Sequence, residues 1–306
     1  MVSALLERTG FAAASREDLP GDASKHYARL RGGPVPALLM RTPTTAYMDA
    51  FCRVAEHLRS HAIPAPRVLG REGTAAVVEE LGRGTLAAAL DAGADPAPLY
   101  EGAARLLARL HAAPPPAGLP AWDAEAMERA AAATFLDWWW PAIYGAPPAD
   151  HVRTAFRAAM LETLAPFAAQ GFVHRDFFPA NLLLLEEGGV AVIDFQDAAL
   201  GNPLYDLVSL VEDARRDVAP EVRAAAIRAY GGGADAAAMA ALAAQRHLRV
   251  AGLWVRLARR DGKAHYLRHG PRVWAHLARA LEHPACAPIA AFMIRQVPPA
   301  LRGNPA

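Results

Sequence analysis

Lysine is almost missing from this chain. Of 32 basic residues only Lys25 and Lys263 are lysines, and the others are arginines. Any role that needs a compact primary ammonium therefore has two candidates in the whole sequence. Cysteine is equally scarce. Cys52 and Cys286 are isolated, without C-x-x-C spacing, which excludes a cysteine zinc site and a disulfide framework and fits a reducing cytosol. No stretch approaches the ~20 consecutive apolar residues of a membrane span. Glu7 and Arg8 interrupt the N-terminal segment where a signal peptide would need an apolar core. A soluble, cytoplasmic protein is the expectation. Net charge is also small, +1, which argues against nucleic acid or an anionic membrane as a broad electrostatic partner. What remains is a globular composition: 306 residues, 53% hydrophobic and 21% charged, enough for one large domain or two lobes.

The patterning changes along the chain. Residues 11–80 are β-rich, with strands expected at 25–31 and 35–41 across the Gly32-Gly33-Pro34 turn, and at 68–70 and 75–78. Between them Tyr47, Phe51, Val54, Ala55 and Leu58 recur at helical spacing over 44–60. Beyond Gly84 helices dominate: 96–112, stopped by Pro114-Pro115-Pro116, then 125–140, 151–169, 203–216, 219–230, 235–260 and 270–282. The run Trp138-Trp139-Trp140 would sweep about 200° of a helix, so one core cannot take all three rings.

Into the helical part is set FVHRDFFPANLLLLEEGGVAVIDFQDA, residues 172–198. His174-Arg175-Asp176 is followed five residues later by Asn181, and Asp194 comes thirteen residues after that. Apolar runs at 182–185 and 190–193, joined by the Glu186–Gly189 turn, predict a hairpin that brings Asn181 and Asp194 together. Asp176 can accept a hydroxyl proton, and an amide oxygen with a carboxylate suits Mg²⁺. H-R-D-x-x-x-x-N with a following Asp is the pattern of protein-kinase-like phosphotransfer cores, in which catalysis is positioning and charge neutralisation. The expected fold is α+β and bilobal, protein-kinase-like. A small β-rich N-lobe covers the nucleotide over 1–82. A larger helical C-lobe over 83–306 carries the embedded catalytic hairpin, the metal site and the substrate site.

No G-x-G-x-x-G occurs in the first lobe, and the strand that would carry a lysine reads VPALLMR. Lys25, His26 or Arg29 could supply charge over the phosphates, or could equally be surface residues of an edge strand.

The motifs resemble the aminoglycoside phosphotransferase and choline kinase superfamily more than protein kinases. Gln196 stands where DFG has its Gly, and GNPLYDL at 201–207 follows closely, like G-x-P-x-x-D-L. GDAS at 21–24, VVEELG at 77–82, FLDWWWP at 135–141, IDFQDA at 193–198, YDLVSLVEDAR at 205–215 and the segment 245–267 with RRDGK are similar to the bacterial N-acetylmuramate/N-acetylglucosamine anomeric kinases of peptidoglycan recycling. That resemblance implies transfer of the ATP γ-phosphoryl to a sugar C1 hydroxyl, with ATP and Mg²⁺ as cofactors, a small amino sugar as partner and a monomer. It implies Asp176 as base, with His174 holding the loop or, alternatively, acting chemically. Asn181 and Asp194 are then the metal ligands, and Ser24, Lys25 and Arg29 lie on the phosphate side. The adenine meets backbone from Glu79 to Leu81, and Asp197, Asp213 and Arg246 are candidates for the sugar. Asp197 could equally cap a turn, and Asp213 and the late arginines could be a solvated helix face. An aminoglycoside or other small-molecule phosphotransferase is the alternative, although the arginines at 245–260 suit a cationic antibiotic poorly. A non-catalytic kinase-like module is a third reading.

Overall fold

The structure is a computed structural model that describes residues 2–19, 25–82 and 84–305. Ser24 and its GDAS turn, expected on the phosphate side, therefore lie outside the described residues. The chain divides into two compact units, Met1–Gly118 with His174–Ala198, and Leu119–Val173 with Ala199–Ala306.

The first unit holds a five-stranded antiparallel sheet in the order β1-β2-β3-β5-β4. Its strands are β1 (Ser15–Leu19), β2 (His26–Arg31), β3 (Ala37–Arg41), β4 (Val68–Glu72) and β5 (Ala75–Glu79). Alternation puts Ala37, Leu39, Ala75 and Val77 on one face, where Leu5 and Leu6 of helix α1 (Val2–Arg8) and Phe11 seal them. Met40, Ala76 and Val78 are buried on the other face. Helix α2 (Thr45–Ser60) starts where the Thr44 hydroxyl accepts the Tyr47 N–H, and it buries Met48, Phe51, Val54, Ala55 and Leu58. Two further helices follow, α3 (Leu86–Asp91) and α4 (Pro96–Ala112), the latter capped by Asp95 with proline in its first turn.

The predicted hairpin forms from Leu182–Leu184 and Val190–Val192. It belongs to this first unit, whereas the sequence reading set it in a lobe beginning at residue 83. The reason is local: Leu184 N–H bonds to Gly84 O, Val192 N–H bonds to Pro64 O, and Leu183 bridges Thr85. Gly82, at φ +75°, passes so close that a Cβ would stand 2.3 Å from Leu184 O, so only glycine fits.

The second unit is built around one 26-residue helix, Ala236–Asp261, ended by Gly262 in the left-handed conformation. Helices Ala124–Thr134, Leu204–Val211 and Gly270–Leu281 pack on it. A small sheet joins Ala121–Trp122, Ala199–Gly201 and Gly171–Val173. Residues Phe135–Trp139 wind as a π-helix, and Gly252 of the long helix lies against them: a Cβ there would meet Thr134 C at 2.2 Å and Phe135 N at 2.4 Å. Of the three consecutive tryptophans Trp139 and Trp140 are buried and Trp138 is half-buried. Trp139 stacks on Phe135 at 4.5 Å and donates to Gly303 O at 2.6 Å. The helix expected over 151–169 stops at Leu164, because Pro166 cannot supply the next N–H. Among the described residues no helix is long and apolar enough to cross a membrane.

Candidate active site

The catalytic loop is pinned by its own histidine. His174 is fully buried, accepts the Asp176 N–H on Nδ1 at 3.3 Å, and faces Ile193 O with Nε2 at 3.0 Å. An acceptor Nδ1 assigns the proton to Nε2, so the ring ties the loop to the end of the hairpin. The next residue, Arg175, holds φ +74°, and Asp194 across the hairpin holds φ +65°. Non-glycine residues rarely adopt this left-handed region, and such departures cluster at functional sites. Arg175 also donates to Asp197 O at 3.3 Å.

Asn181 and Asp194 meet as the spacing predicts. Ile193 N–H bonds to Asn181 O at 3.1 Å, Asn181 Nδ2 donates to Asp176 O at 2.9 Å, and Nδ2 lies 3.5 Å from Asp194 Oδ2. Donation from Nδ2 to a carbonyl fixes the amide, leaving Oδ1 as the atom able to ligate a cation. Phe195 anchors the turn by stacking on Phe51 of α2 at 5.0 Å. Asp176 itself is half-buried.

Lys25 directly precedes β2 and is buried. Its Nζ pairs with Asp194 Oδ1 and lies 5.8 Å from the Tyr47 ring centroid. One of the two lysines thus sits on the carboxylate at the centre of the site. Arg29 is four residues along the strand, roughly 13 Å away at strand rise, and its guanidinium pairs with Glu80 at 2.7 Å and Glu17 at 3.6 Å. Glu79 ends β5, with its N–H on Arg67 O and its carboxylate accepting the Arg67 N–H. Leu81 follows outside any strand.

Asp213 and Arg246 belong to the second unit and are both 2% exposed, so neither lies on a solvated helix face. Burial pushes the Asp213 carboxyl up, against the charges of Arg215 and Arg246 and the Arg215 N–H bond at 2.9 Å. Arg246 lies over the Tyr205 ring at 5.5 Å. Beside them is a network with no counterpart among the sequence candidates. Glu212 accepts from His247 at 2.9 Å, Arg223 at 3.1 Å and Arg279 at 2.9 Å. Burial alone would raise the Glu212 carboxyl. The His247 bond and the two arginines outweigh it and hold the carboxyl below the usual range. Gln196 is the other omission: its Nε2 donates to Asp194 at 3.1 Å and to Asp197 at 3.3 Å. Its signals in the sequence are its place between two aspartates and its replacement of the DFG glycine.

The chain is similar to known phosphotransferases. The profile of APH, the phosphotransferase enzyme family, matches residues 16–244. A Caulobacter vibrioides protein named N-acetylmuramate/N-acetylglucosamine kinase is 33% identical, with 97% of this chain and 96% of the relative covered. A Pseudomonas aeruginosa protein of the same name is 32% identical over 85% of this chain and 82% of its own. Among solved structures, a choline/ethanolamine kinase family protein from Mesorhizobium loti superposes with a TM-score of 0.63 at 17% identity, covering 95% of this chain and 96% of that one. This last likeness is one of fold, and it bears out the α+β kinase-like architecture. With the profile spanning most of the chain and full-length kinase relatives above 30% identity, the chain belongs to the phosphotransferase enzyme family, as an enzyme with ATP as co-substrate and a hydroxyl as acceptor.

Proposed function

We propose that the chain transfers the γ-phosphoryl of ATP to the anomeric C1 hydroxyl of N-acetylmuramate or N-acetylglucosamine, as a step in peptidoglycan recycling. The observation that carries the reading is the end-to-end similarity to a kinase named for those two sugars, combined with an intact Asp176–Asn181–Asp194 constellation.

The site fits Mg²⁺. Among the described residues no group of three His, Cys, Asp or Glu side chains could hold a metal by itself. Mg²⁺ takes one or two protein oxygens and completes its shell with phosphate and water. Asp194 Oδ2 and Asn181 Oδ1 are the oxygens it would use, and when bound it would neutralise charge on the triphosphate. Asp176 accepts the hydrogen bond of the attacking hydroxyl and orients it. An ordinary aspartate is a weak base, but an anomeric hydroxyl is more acidic than other alcohols, so a weak base suffices. Lys25 holds Asp194 and adds positive charge on the phosphate side. Arg29, fastened to Glu80, steadies the segment Glu79–Leu81 that meets the adenine. In the second unit, buried Asp213 and Arg246 set Arg215 and Arg216 for the sugar, whose lactyl carboxylate, when present, suits an arginine fork.

A coupled ADP-release assay with N-acetylmuramate, N-acetylglucosamine and kanamycin tests this, followed by phosphorus NMR of the product. Turnover with the amino sugars and a C1 phosphate is expected. Turnover confined to kanamycin, or a phosphate at C6, overturns it.

A further inference from the structure

Gln196 is 8% exposed, and both hydrogens of its amide nitrogen are committed to carboxylates, Asp194 Oδ1 at 3.1 Å and Asp197 Oδ2 at 3.3 Å. Its orientation is not open to choice. A flipped amide would set Oε1 against two acceptor oxygens. In the orientation that results, Oε1 is buried with no hydrogen-bond partner, a condition that costs stability and needs a reason.

The reason lies in which oxygens are used. Lys25 and Gln196 both address Oδ1 of Asp194. Asn181 lies beside Oδ2. Two donors on one oxygen lock the carboxylate's rotation and turn the other oxygen toward Asn181. Asp197 is held in the same manner, by Oδ2 on the amide and by its carbonyl on Arg175. Each carboxylate keeps one oxygen outside the Gln196 bond, and the amide bridges two like charges that would otherwise repel. A glycine here would leave Asp194 Oδ1 with Lys25 alone and the Asp197 carboxylate without the amide.

We propose that Gln196 is a positioning residue that bridges Asp194 and Asp197 and thereby sets the affinity of the site for its divalent cation. The inference rests on the phosphotransferase reading but not on the identity of the sugar. Outer-shell donors of this kind change metal affinity by about 10–100-fold when removed.

The test uses Gln196→Met and Gln196→Leu, which fill the site without donors and without adding charge. Mn²⁺ binding to the full chain with ADP is followed by the electron paramagnetic resonance signal of free Mn²⁺. The Mg²⁺ dependence of the initial rate is measured in parallel at saturating ATP and N-acetylglucosamine. Both variants are expected to bind Mn²⁺ at least about tenfold more weakly, with the Mg²⁺ requirement raised to match and the rate largely recovered at saturating Mg²⁺. Wild-type Mn²⁺ affinity in either variant overturns the proposal, as does a lost rate with an unchanged Mg²⁺ requirement. If Gln196→Met fails to melt cooperatively, Gln196→Leu alone decides. Weakened Mn²⁺ binding together with a wild-type enzyme inert toward the sugar upholds the role of Gln196 and sinks the sugar assignment instead.

Discussion

In the proposed reaction Asp176 and Lys25 would divide the work of the site between the two reactants. With Asp176 as the proposed base toward the acceptor, Asp176→Asn should lower kcat by about 10²–10⁴-fold, the range for a positioned acid–base group. Its binding of ATP should be nearly unchanged, a pairing readable from steady-state kinetics beside a nucleotide-binding isotherm. Lys25 pairs with Asp194, and in the proposed reaction it acts on the nucleotide side. Lys25→Met should therefore raise the KM for ATP and the Mg²⁺ requirement together, while the KM for the sugar stays near wild type. A change confined to the sugar KM would contradict this placement. At this scale the sequence was legible wherever spacing along the chain sufficed: Asp176, Asn181 and Asp194 are brought together as read. It was illegible where partners are far apart. Lys25 and Asp194 are 169 residues apart, and no local pattern pairs them.

The same contrast runs through the secondary elements. Helix α2 announces itself because its apolar residues repeat on one face, and the catalytic hairpin because two short apolar runs flank a turn. Strand β1, SREDL, is an exposed edge with no buried alternation to read. The π-helix at Phe135–Trp139 is equally silent: no pattern in the sequence marks it, although Gly252 packs closely against its start. Gly252→Ala would drive a methyl into the Thr134–Phe135 backbone, and overpacking of that kind costs about 1–3 kcal/mol. A lowered melting temperature in circular dichroism checks it. The buried network between helices makes a pH prediction. Burial lowers His247, and burial with His247 beside it lowers His276 to about 4. A folded pKa below the unfolded value means the unfolded chain binds more protons, so stability falls as pH drops below about 6.5. Glu212, held low by its partners, reinforces the loss at still lower pH. The melting temperature should fall between pH 7 and pH 5, and His276→Gln should reduce that fall.

At the scale of the molecule, each compact unit is assembled from two separate stretches of sequence, and the chain passes between the units at 118/119, 173/174 and 198/199. A fragment ending at Gly118 holds the whole sheet but lacks Phe195, the ring that stacks on Phe51, and the hairpin that bonds to Pro64 and Gly84. It should show no cooperative thermal transition, and adding residues 119–198 alone should not restore wild-type stability. The interleaving also orders events during synthesis. The first unit lacks its hairpin until residue 198 has left the ribosome, and the second lacks the Trp139–Gly303 bond until residue 303 has. A nascent chain therefore carries its kinase motifs long before it carries a kinase, and a chain cut short after the HRD loop holds neither unit complete.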